Sequence, residues 1–189
     1  MATVYAAFPM GVHCRAGKLT GNLQSDKQNG MKSRYRVAPA LARGVAEEWV
    51  VRALAKRIDI GFEDSGRPLW IDGVPLLLQE LLNNLLDNAI KYTPPGGHVT
   101  LRTRAAQQAV IEVEDDGIGI PFAERGRIFE RFYRVLGTDS DGSGLGLTIV
   151  AEIAELHRAS VELFTGSGGK GSLFRVSFAR GRASAGATR

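Results

Sequence analysis

The amino-acid sequence predicts an α+β fold, a two-layer sandwich in which a mixed, mostly antiparallel sheet is covered on one face by helices. Three observations lead to this prediction. Segments with helical spacing alternate with pairs of strand-like segments, in the order α-β-β-α-β-β-loop-α-β-β. The last two strand pairs resemble hairpins, because each has two alternating segments joined by a short polar turn. A long excursion rich in glycine and charge, residues 117–146, precedes the last helix, and such long loops are usually functional.

Composition bounds the class of protein. With 44% hydrophobic and 23% charged residues among 189, the chain is typical of a globular protein with a buried core. Its net charge of +4 suits an anionic partner such as a nucleotide, a nucleic acid or an acidic protein surface. The charge is spread rather than clustered, so we do not expect a nucleic-acid arm. No run reaches the ~18 apolar residues of a membrane span, and the single Cys14 excludes an internal disulfide.

The domain boundaries follow from where hydrophobic periodicity begins and ends. We expect one domain over residues 38–180. Residues 1–37 are polar, basic and contain glycine without a clean period, so we expect a disordered, linker or foreign segment that the domain does not need. Residues 181–189 are expected to form a flexible tail.

The first half of the domain predicts two helices and two strands. Helical spacing over residues 39–57 predicts a helix, and alternation over residues 58–64 predicts a strand. A short strand at 68–71 follows a turn, and Pro75 opens a second helix that stops before Pro94. The helical spacing of the first helix is that of Leu41, Val45, Trp49, Val50 and Leu54.

The second half predicts two hairpins on either side of a helix. Residues 98–105 and 109–115 alternate apolar and polar residues and form the first hairpin. Residues 160–165 and 172–178 form the second. Between the hairpins, residues 146–157 predict a helix, and its inward side chains are expected to be Ile149, Val150, Ile153 and Leu156.

The second helix carries an unusual polar stripe. Asn84, Asn88 and Lys91 fall within roughly 60° of one another around the helix axis, although the helix is otherwise rich in leucine. An amide oxygen is a hard ligand for Mg²⁺, which shares the phosphates of a nucleotide. Lysine can meet a phosphate as a point charge, and the neighbouring Tyr92 could stack on a base. The alternative is an exposed polar face with capping roles.

A second candidate lies where the strand over residues 109–115 ends. Asp115 continues the face of Ile111 and Val113, which is the face turned to the core. A carboxylate in that position is costly without a donor, which could be a helix N-terminus, a backbone amide or a ligand amine. Gly117 and Gly119 follow at once and leave room for something to approach the backbone. The alternative is a strand end with a glycine turn.

The third candidate is a glycine motif at the start of the last helix. Gly142, Gly144 and Gly146 alternate and lead into the helix N-terminus, whose free N–H groups and dipole suit a triphosphate. No strand directly precedes this motif and its spacing is not G-x-G-x-x-G, so a dinucleotide-binding Rossmann site is disfavoured. The spacing does not match a P-loop either.

The loop between the two glycine motifs contains the segment RIFERFYRV. Phe129 and Phe132 stand at i, i+3 spacing and are expected to anchor the loop on the core. Arg131 and Arg134 either clamp phosphate or are simply solvated.

Taken in their order, four of these segments resemble the catalytic ATP-binding domain of bacterial two-component sensor histidine kinases. NLLDNAIKYT resembles the N box, DDGIGIP the G1 box, IFERFYR the F box and GSGLGLTIV the G2 box. GKGSLFRVSF resembles the final glycine motif and the last strand. The resemblance covers about residues 38–180 and implies the Bergerat fold, which gyrase B, Hsp90 and MutL share. Four ordered motifs are far more specific than any one of them.

The resemblance implies ATP and Mg²⁺ as cofactors and a protein-histidine kinase as the activity. Asn88 would be the Mg²⁺ ligand, with Asn84 beside it, while Lys91 and Arg134 would meet the phosphates. The catalytic residues implied are therefore Asn84, Lys91 and Arg134. ATP-splitting relatives in this fold carry a glutamate one turn before the metal-binding asparagine. Because Asn84 stands there, phosphoryl transfer is favoured over hydrolysis.

The base and the lid are assigned in the same way. The resemblance implies that Asp115 accepts a hydrogen bond from the adenine amino group and that Tyr92 flanks the adenine. Residues 120–141 would form the ATP lid. The full set of nucleotide-binding residues that the resemblance implies is Asn84, Asn88, Lys91, Tyr92, Asp115, Gly117, Gly119, Ile120, Phe129, Arg131, Arg134, Gly142, Ser143, Gly144, Leu145, Gly146 and Leu147.

The resemblance also implies partners. Sensor kinases phosphorylate a histidine on a dimerisation domain and pass the phosphate to a response regulator, so we expect a dimerisation domain and a response regulator as partners of this domain in the full-length parent. None of His13, His98 and His157 has the acidic neighbour and downstream proline of the acceptor motif, so we expect the acceptor domain to be absent from this chain. The domain is expected to be cytoplasmic, part of an inner-membrane sensor, with no membrane or nucleic-acid contact of its own.

Two other classes of function stay open. One is a conformational clamp that hydrolyses ATP. The other is a nucleotide-binding module without enzymatic activity, or a serine kinase that acts on an anti-sigma partner.

Overall fold

A computed structural model describes residues 2–4, 34–35, 38–67, 69, 71–105, 107–135 and 143–179. The strands are β1 (Ala2–Val4), β2 (Arg34–Tyr35), β3 (Asp59–Asp64), β4 (Ile71–Asp72), β5 (His98–Ala105), β6 (Ala109–Asp115), β7 (Ala159–Thr165) and β8 (Ser172–Phe178). The helices are α1 (Ala38–Ala55), α2 (Pro75–Tyr92) and α3 (Gly146–Leu156). A short 3₁₀ turn spans Phe122–Glu124.

The main sheet has six strands in the order β1-β3-β5-β6-β8-β7. Only β3 and β5 pair in parallel, and every other neighbouring pair in this sheet is antiparallel. A parallel pair needs a crossover connection, and α2 provides it. The three helices pack on one another and on one face of the sheet. The predicted α+β sandwich with a mixed, mostly antiparallel sheet is therefore confirmed.

The core lies between the helical layer and the sheet. Leucines at helical spacing on α2 supply its centre, since Leu78, Leu81, Leu82, Leu85 and Leu86 are each at most 1% exposed. Such a stripe explains why this segment folds as a helix against the sheet. On the sheet side of the core, strands β5, β6 and β8 contribute every second residue. None of the helices in the described part of the chain is long and apolar enough to cross a membrane.

Two leucines at helical spacing are exposed, and for Leu156 this contradicts the prediction that it points inward. Leu54 is 52% exposed, because alanines rather than this leucine complete the buried stripe of α1 at positions 42, 46 and 53. Leu156 is 72% exposed at the end of α3. The next residue, His157, takes the inward place: its ring packs edge-on against Phe178 and its Nε2 accepts a hydrogen bond of 3.0 Å from the Val74 N–H.

The sheet face away from the helices is held by ion pairs. Glu112 lies on this face because it alternates with the core residues of β6, yet its side chain is only 4% exposed. Its two carboxylate oxygens accept hydrogen bonds from Arg104 Nε at 2.9 Å and Arg175 Nε at 2.8 Å. Glu114 on the same face is paired with Arg102 and accepts a bond of 2.6 Å from the Ser167 N–H.

Two short parts of the segment 1–37 are described. Strand β1 pairs with β3 in antiparallel register, and β2 pairs with β4 as a separate two-stranded sheet. Neither pairing was predicted from the sequence. The remaining residues of that segment and of the tail 181–189 lie outside the described residues, so the domain boundaries stay a prediction.

Candidate functional site

A cavity of about 220 Å³ opens between α2, the end of β6, the loop after it and the start of α3. Polar side chains of α2 form one wall, and the glycine-rich turn into α3 forms the opposite one. The lining residues are Asn84, Asp87, Asn88, Ala89, Lys91, Tyr92, Asp115, Ile118, Gly119, Ile120, Ile128, Tyr133, Arg134, Val135, Ser143, Gly144, Gly146, Leu147, Ser172 and Phe174.

The asparagine stripe of α2 faces the N-terminus of α3. The side-chain amide of Asn84 is fixed by two hydrogen bonds from Nδ2, to Glu80 O at 2.8 Å and to Glu80 Oε1 at 3.0 Å. A Cβ at Gly146 would lie 3.1 Å from Asn84 Oδ1 and 3.5 Å from Asn88 Nδ2. Glycine at this position therefore lets the two helices approach closely enough for both amides to reach the first turn of α3.

Asn88 carries the one buried polar side-chain atom that has no hydrogen-bond partner among the described residues, its Nδ2. A buried donor without a partner is costly, so a ligand is the natural completion of this position. A 180° rotation of the Asn88 side-chain amide exchanges the positions of Nδ2 and Oδ1. This rotation breaks no hydrogen bond of Nδ2, because Nδ2 makes none with the described residues. An amide oxygen at the cavity wall is the donor that Mg²⁺ prefers, so the residues present fit this ion.

Asp115 closes the cavity at the end of β6. Its carboxylate is only 6% exposed, and Oδ1 accepts hydrogen bonds from the N–H groups of Gly117 at 2.9 Å and Ser172 at 3.3 Å. No donor among the described residues bonds Oδ2. Burial raises the pKa of Asp115 to about 6; the two backbone bonds oppose the rise, and the nearby charges of Asp116 and Glu114 add to it.

Glycines around Asp115 allow backbone to pack against backbone. A Cβ at Gly117 would collide with the carbonyl oxygen of Tyr92, and a Cβ at Gly171 would collide with the carbonyl oxygen of Asp115. Gly171 also has φ +66°, in the left-handed region that side chains rarely adopt. The hairpin between β7 and β8 thus seats directly on the strand end that holds the carboxylate.

The loop before α3 is anchored differently from the prediction. Phe129 packs against the core and its carbonyl accepts a bond of 3.1 Å from Thr148 Oγ1. Phe132 is 71% exposed and has φ +62°, so the prediction that it anchors the loop is wrong. Its N–H bonds the carbonyl of Gly144 at 3.1 Å, which places the ring on the outside. Arg131 Nη2 bonds Glu152 Oε1 of α3 at 2.6 Å.

The structure brings most of the predicted site together. Of the predicted set, those that line the cavity are Asn84, Asn88, Lys91, Tyr92, Asp115, Gly119, Ile120, Arg134, Ser143, Gly144, Gly146 and Leu147. Gly117, Phe129, Arg131 and Leu145 do not line it. Of these, Gly117 bonds the lining residue Asp115 through its N–H. Gly142 and the lid residues 136–141 lie outside the described residues.

The lining residues that were not among the predicted nucleotide-binding residues are Asp87, Ala89, Ile118, Ile128, Tyr133, Val135, Ser172 and Phe174. Three of them, Ile128, Tyr133 and Val135, lie within the predicted lid. Ser172 and Phe174 belong to β8, which pairs with β6 so that Ser172 is opposite Asp115 and Phe174 opposite Val113. A pairing across 57 residues leaves no local signal. Asp87 and Ala89 stand within the asparagine motif and could have been found from their helical positions.

Comparison with known proteins identifies relatives. Residues 73–182 match the family described as histidine kinase-, DNA gyrase B-, and HSP90-like ATPase. The sensor protein kinase PmrB of Pseudomonas aeruginosa is 42% identical over 133 residues, which are 69% of this chain and 28% of PmrB. The chain spans less than a third of the length of the curated relatives it matches.

Two solved structures of other proteins have a similar fold. Full-length ShkA, solved in complex with AMPPNP, is 32% identical with a TM-score of 0.68, over 77% of this chain and 31% of ShkA. The mycobacterial sensor histidine kinase MprB is 29% identical with a TM-score of 0.61, over 72% of this chain and 92% of the MprB chain.

Proposed function

The chain belongs to the family of histidine kinase-, DNA gyrase B- and HSP90-like ATPases, and from this premise we propose that it is the ATP-binding catalytic part of a sensor protein-histidine kinase. The domain binds Mg·ATP and presents the γ-phosphate to a histidine on a separate dimerisation domain, in two-component signal transduction. The observation that carries this proposal is Asp115, a buried carboxylate at the end of a cavity with one oxygen bonded by backbone amides and the other left to a ligand.

Recognition of the base rests on this carboxylate. Adenine offers an amino group where guanine offers a carbonyl oxygen, and an ionised carboxylate only accepts hydrogen bonds. Asp115 Oδ2 therefore accepts from adenine and opposes guanine. The apolar lining of Ile118, Ile120 and Phe174 covers the faces of the base. The relative ShkA was solved with AMPPNP, which supports an adenine nucleotide as the ligand.

Recognition of the phosphates rests on cations and on α3. Lys91 and Arg134 line the cavity and neutralise negative charge. The first N–H groups of α3 begin at Gly146, two residues after Gly144, and a helix N-terminus with free N–H groups attracts phosphate. Mg²⁺, when bound, is held by the Asn88 amide oxygen and supplies charge neutralisation at the phosphates.

Phosphoryl transfer needs the protein to position the reacting groups more than to take part in covalent chemistry. In phosphoryl transfer the protein aligns the donor and stabilises charge, and the nucleophile comes from the acceptor. Here Lys91 and Arg134 hold the phosphoryl group, while Asn84 holds no basic lone pair that could activate water. We propose that the acceptor histidine lies on another domain of the parent protein, that the parent has a response regulator as its partner, and that the parent is an inner-membrane sensor with this domain in the cytoplasm.

The test is nucleotide selectivity with and without the carboxylate. We expect calorimetry to detect binding of Mg·ATP and at least tenfold weaker binding of Mg·GTP, since a base that mispairs with a buried polar group is strongly rejected. Asp115→Asn should abolish Mg·ATP binding with an unchanged circular dichroism spectrum. Equal affinity of the wild type for both nucleotides, or an undiminished affinity of the variant, would remove the adenine assignment and with it the proposed function.

A further inference from the structure

The last turn of α2 is held by a lysine from another element. Lys56 follows α1, and its Nζ donates hydrogen bonds to two carbonyl oxygens at the end of α2, Ile90 O at 2.7 Å and Lys91 O at 2.6 Å. These carbonyls have no partner within the helix, because the last four always lack one. A cation at a helix C-terminus is also favoured by the helix dipole. Burial lowers the pKa of Lys56 from its ordinary value.

The other two carbonyls of this turn are satisfied as well. Ala89 O accepts from the Thr93 N–H at 3.1 Å and from Thr93 Oγ1 at 2.7 Å. Tyr92 O accepts from the Ile118 N–H at 3.3 Å, in the loop after Asp115. The end of α2 is therefore a fixed junction, and Lys56 satisfies two of its four carbonyls from outside the helix.

Lys56 is itself well anchored. The turn after α1 closes through the Ile58 N–H, which bonds Ala53 O at 2.9 Å, and Arg57 adopts the left-handed conformation with φ +58°. The Gly96 N–H bonds Arg57 O at 2.7 Å, which ties this turn to the segment after α2. The backbone that carries the Lys56 side chain is therefore fixed relative to the end of α2.

Resting on the proposed function, we propose that Lys56 is a positioning residue for the phosphate end of the nucleotide. It holds the backbone carbonyl of Lys91 and that of the residue before it, so it sets the direction in which the Lys91 side chain enters the cavity. Lys56 does not line the cavity, so in this proposal it acts through the side chain of Lys91. Such supporting contacts matter because a displacement of about 1 Å at a reacting group can cost up to 10²-fold in rate.

The experiment compares Lys56→Met, which keeps the length and removes the charge, with Lys56→Arg and with a control, Lys170→Met, at an exposed lysine of the last hairpin. Affinity for Mg·ATP is measured by calorimetry and affinity for adenosine by ligand-observed NMR, below the unfolding temperature of each protein. We expect Lys56→Met to weaken Mg·ATP about tenfold and to leave adenosine unchanged, with rescue by Lys56→Arg and no effect in the control.

A second arm asks whether the effect passes through Lys91. In a Lys91→Met background, Lys56→Met should no longer weaken Mg·ATP. Equal losses for Mg·ATP and adenosine would mean a general structural role and overturn the inference, as would an unchanged Mg·ATP affinity of Lys56→Met. A wild-type chain that binds no ATP would overturn the proposed function itself, an outcome that is separate from a failure of the variant alone.

Discussion

At the residue scale, the burial of Asp115 lowers the free energy of unfolding by an amount that depends on pH. Its pKa is raised by burial to about 6 in the folded chain, above the value of 3.8 for an exposed carboxyl. The folded state therefore binds more protons than the unfolded state between about pH 4 and pH 6. In that window the contribution of Asp115 to the free energy of unfolding falls as pH rises. Above pH 6 the full penalty of about 3 kcal/mol is present.

We therefore predict that Asp115→Asn unfolds at higher urea than the wild type at pH 7, by about 1–3 kcal/mol in the free energy of unfolding. Asparagine keeps an acceptor for the two backbone N–H groups and carries no charge. The advantage should shrink as pH falls from 6 to 4, while the other carboxylates contribute equally to both proteins. A variant that is less stable at pH 7, by an amount independent of pH, would contradict the assigned burial penalty.

Also at the residue scale, Asn84 favours transfer of the phosphoryl group over hydrolysis of ATP. An amide cannot take a proton from water near neutral pH, and Glu80, which bonds Asn84 at 3.0 Å, does not line the cavity. We predict negligible ATPase activity for the wild type and a higher rate for Asn84→Glu. The new carboxylate would lie beside Glu80, and like charges raise each other's pKa towards the range of a useful base.

Steady-state phosphate release from both proteins measures this difference. Asn88→Ala is the control, because it removes the amide that we assign to the metal and should bind nucleotide poorly. Fast turnover by the wild type that disappears in Asn88→Ala would favour the clamp-type ATPase over the kinase.

At the scale of the element, β6 carries Glu112 and Glu114 on the face away from the helices, and both residues are buried. Glu112 is held there by Arg104 and Arg175, whose side chains are 57% and 37% exposed. We predict that Glu112→Gln lowers the free energy of unfolding by about 2 kcal/mol. That is less than the full cost of breaking a buried pair, because both arginines can be hydrated.

Glu162→Gln is the matched control for this prediction. Glu162 is exposed on β7 and stands opposite the same Arg175 in the strand register. Surface charges of this kind contribute about 0–1 kcal/mol, so its loss should be small. Equal destabilisation of the two variants in urea titrations would show that Glu112 gains nothing from its burial.

The elements also show what local sequence can predict. The bounds of α2 follow from Pro75 and Pro94, and β5, β6 and β8 follow from their alternation, so these agree with the structure. Leu54 and Leu156 stand at helical spacing and are hydrophobic, yet both are exposed. The buried stripe of α1 is completed by alanines, which carry little hydrophobic signal. Whether Leu156 points inward at the end of α3 depends on the residues that pack against the next residue, His157.

At the scale of the whole molecule, the cavity unites segments that are distant in sequence. The glycine and asparagine motifs were found because each carries a local pattern. Lys56 and Ser172 contribute through contacts across 34 to 57 residues, and Phe174 through its pairing with Val113; none of the three leaves such a pattern. The pairing of β1 with β3 lay beyond prediction for the same reason. Whether residues 1–37 are dispensable stays a prediction.

The position of β8 has a consequence for how the chain is made. This strand is the last of the described elements, yet it lies inside the sheet between β6 and β7. A ribosome that has released everything up to Lys170 has produced two strand edges without their shared neighbour, and exposed edges invite pairing with other chains. The Ser172 N–H that steadies Asp115 is also still missing at that moment. Completion of the sheet and of the nucleotide site is therefore a single late event, after which ATP can bind and stabilise the folded state by mass action.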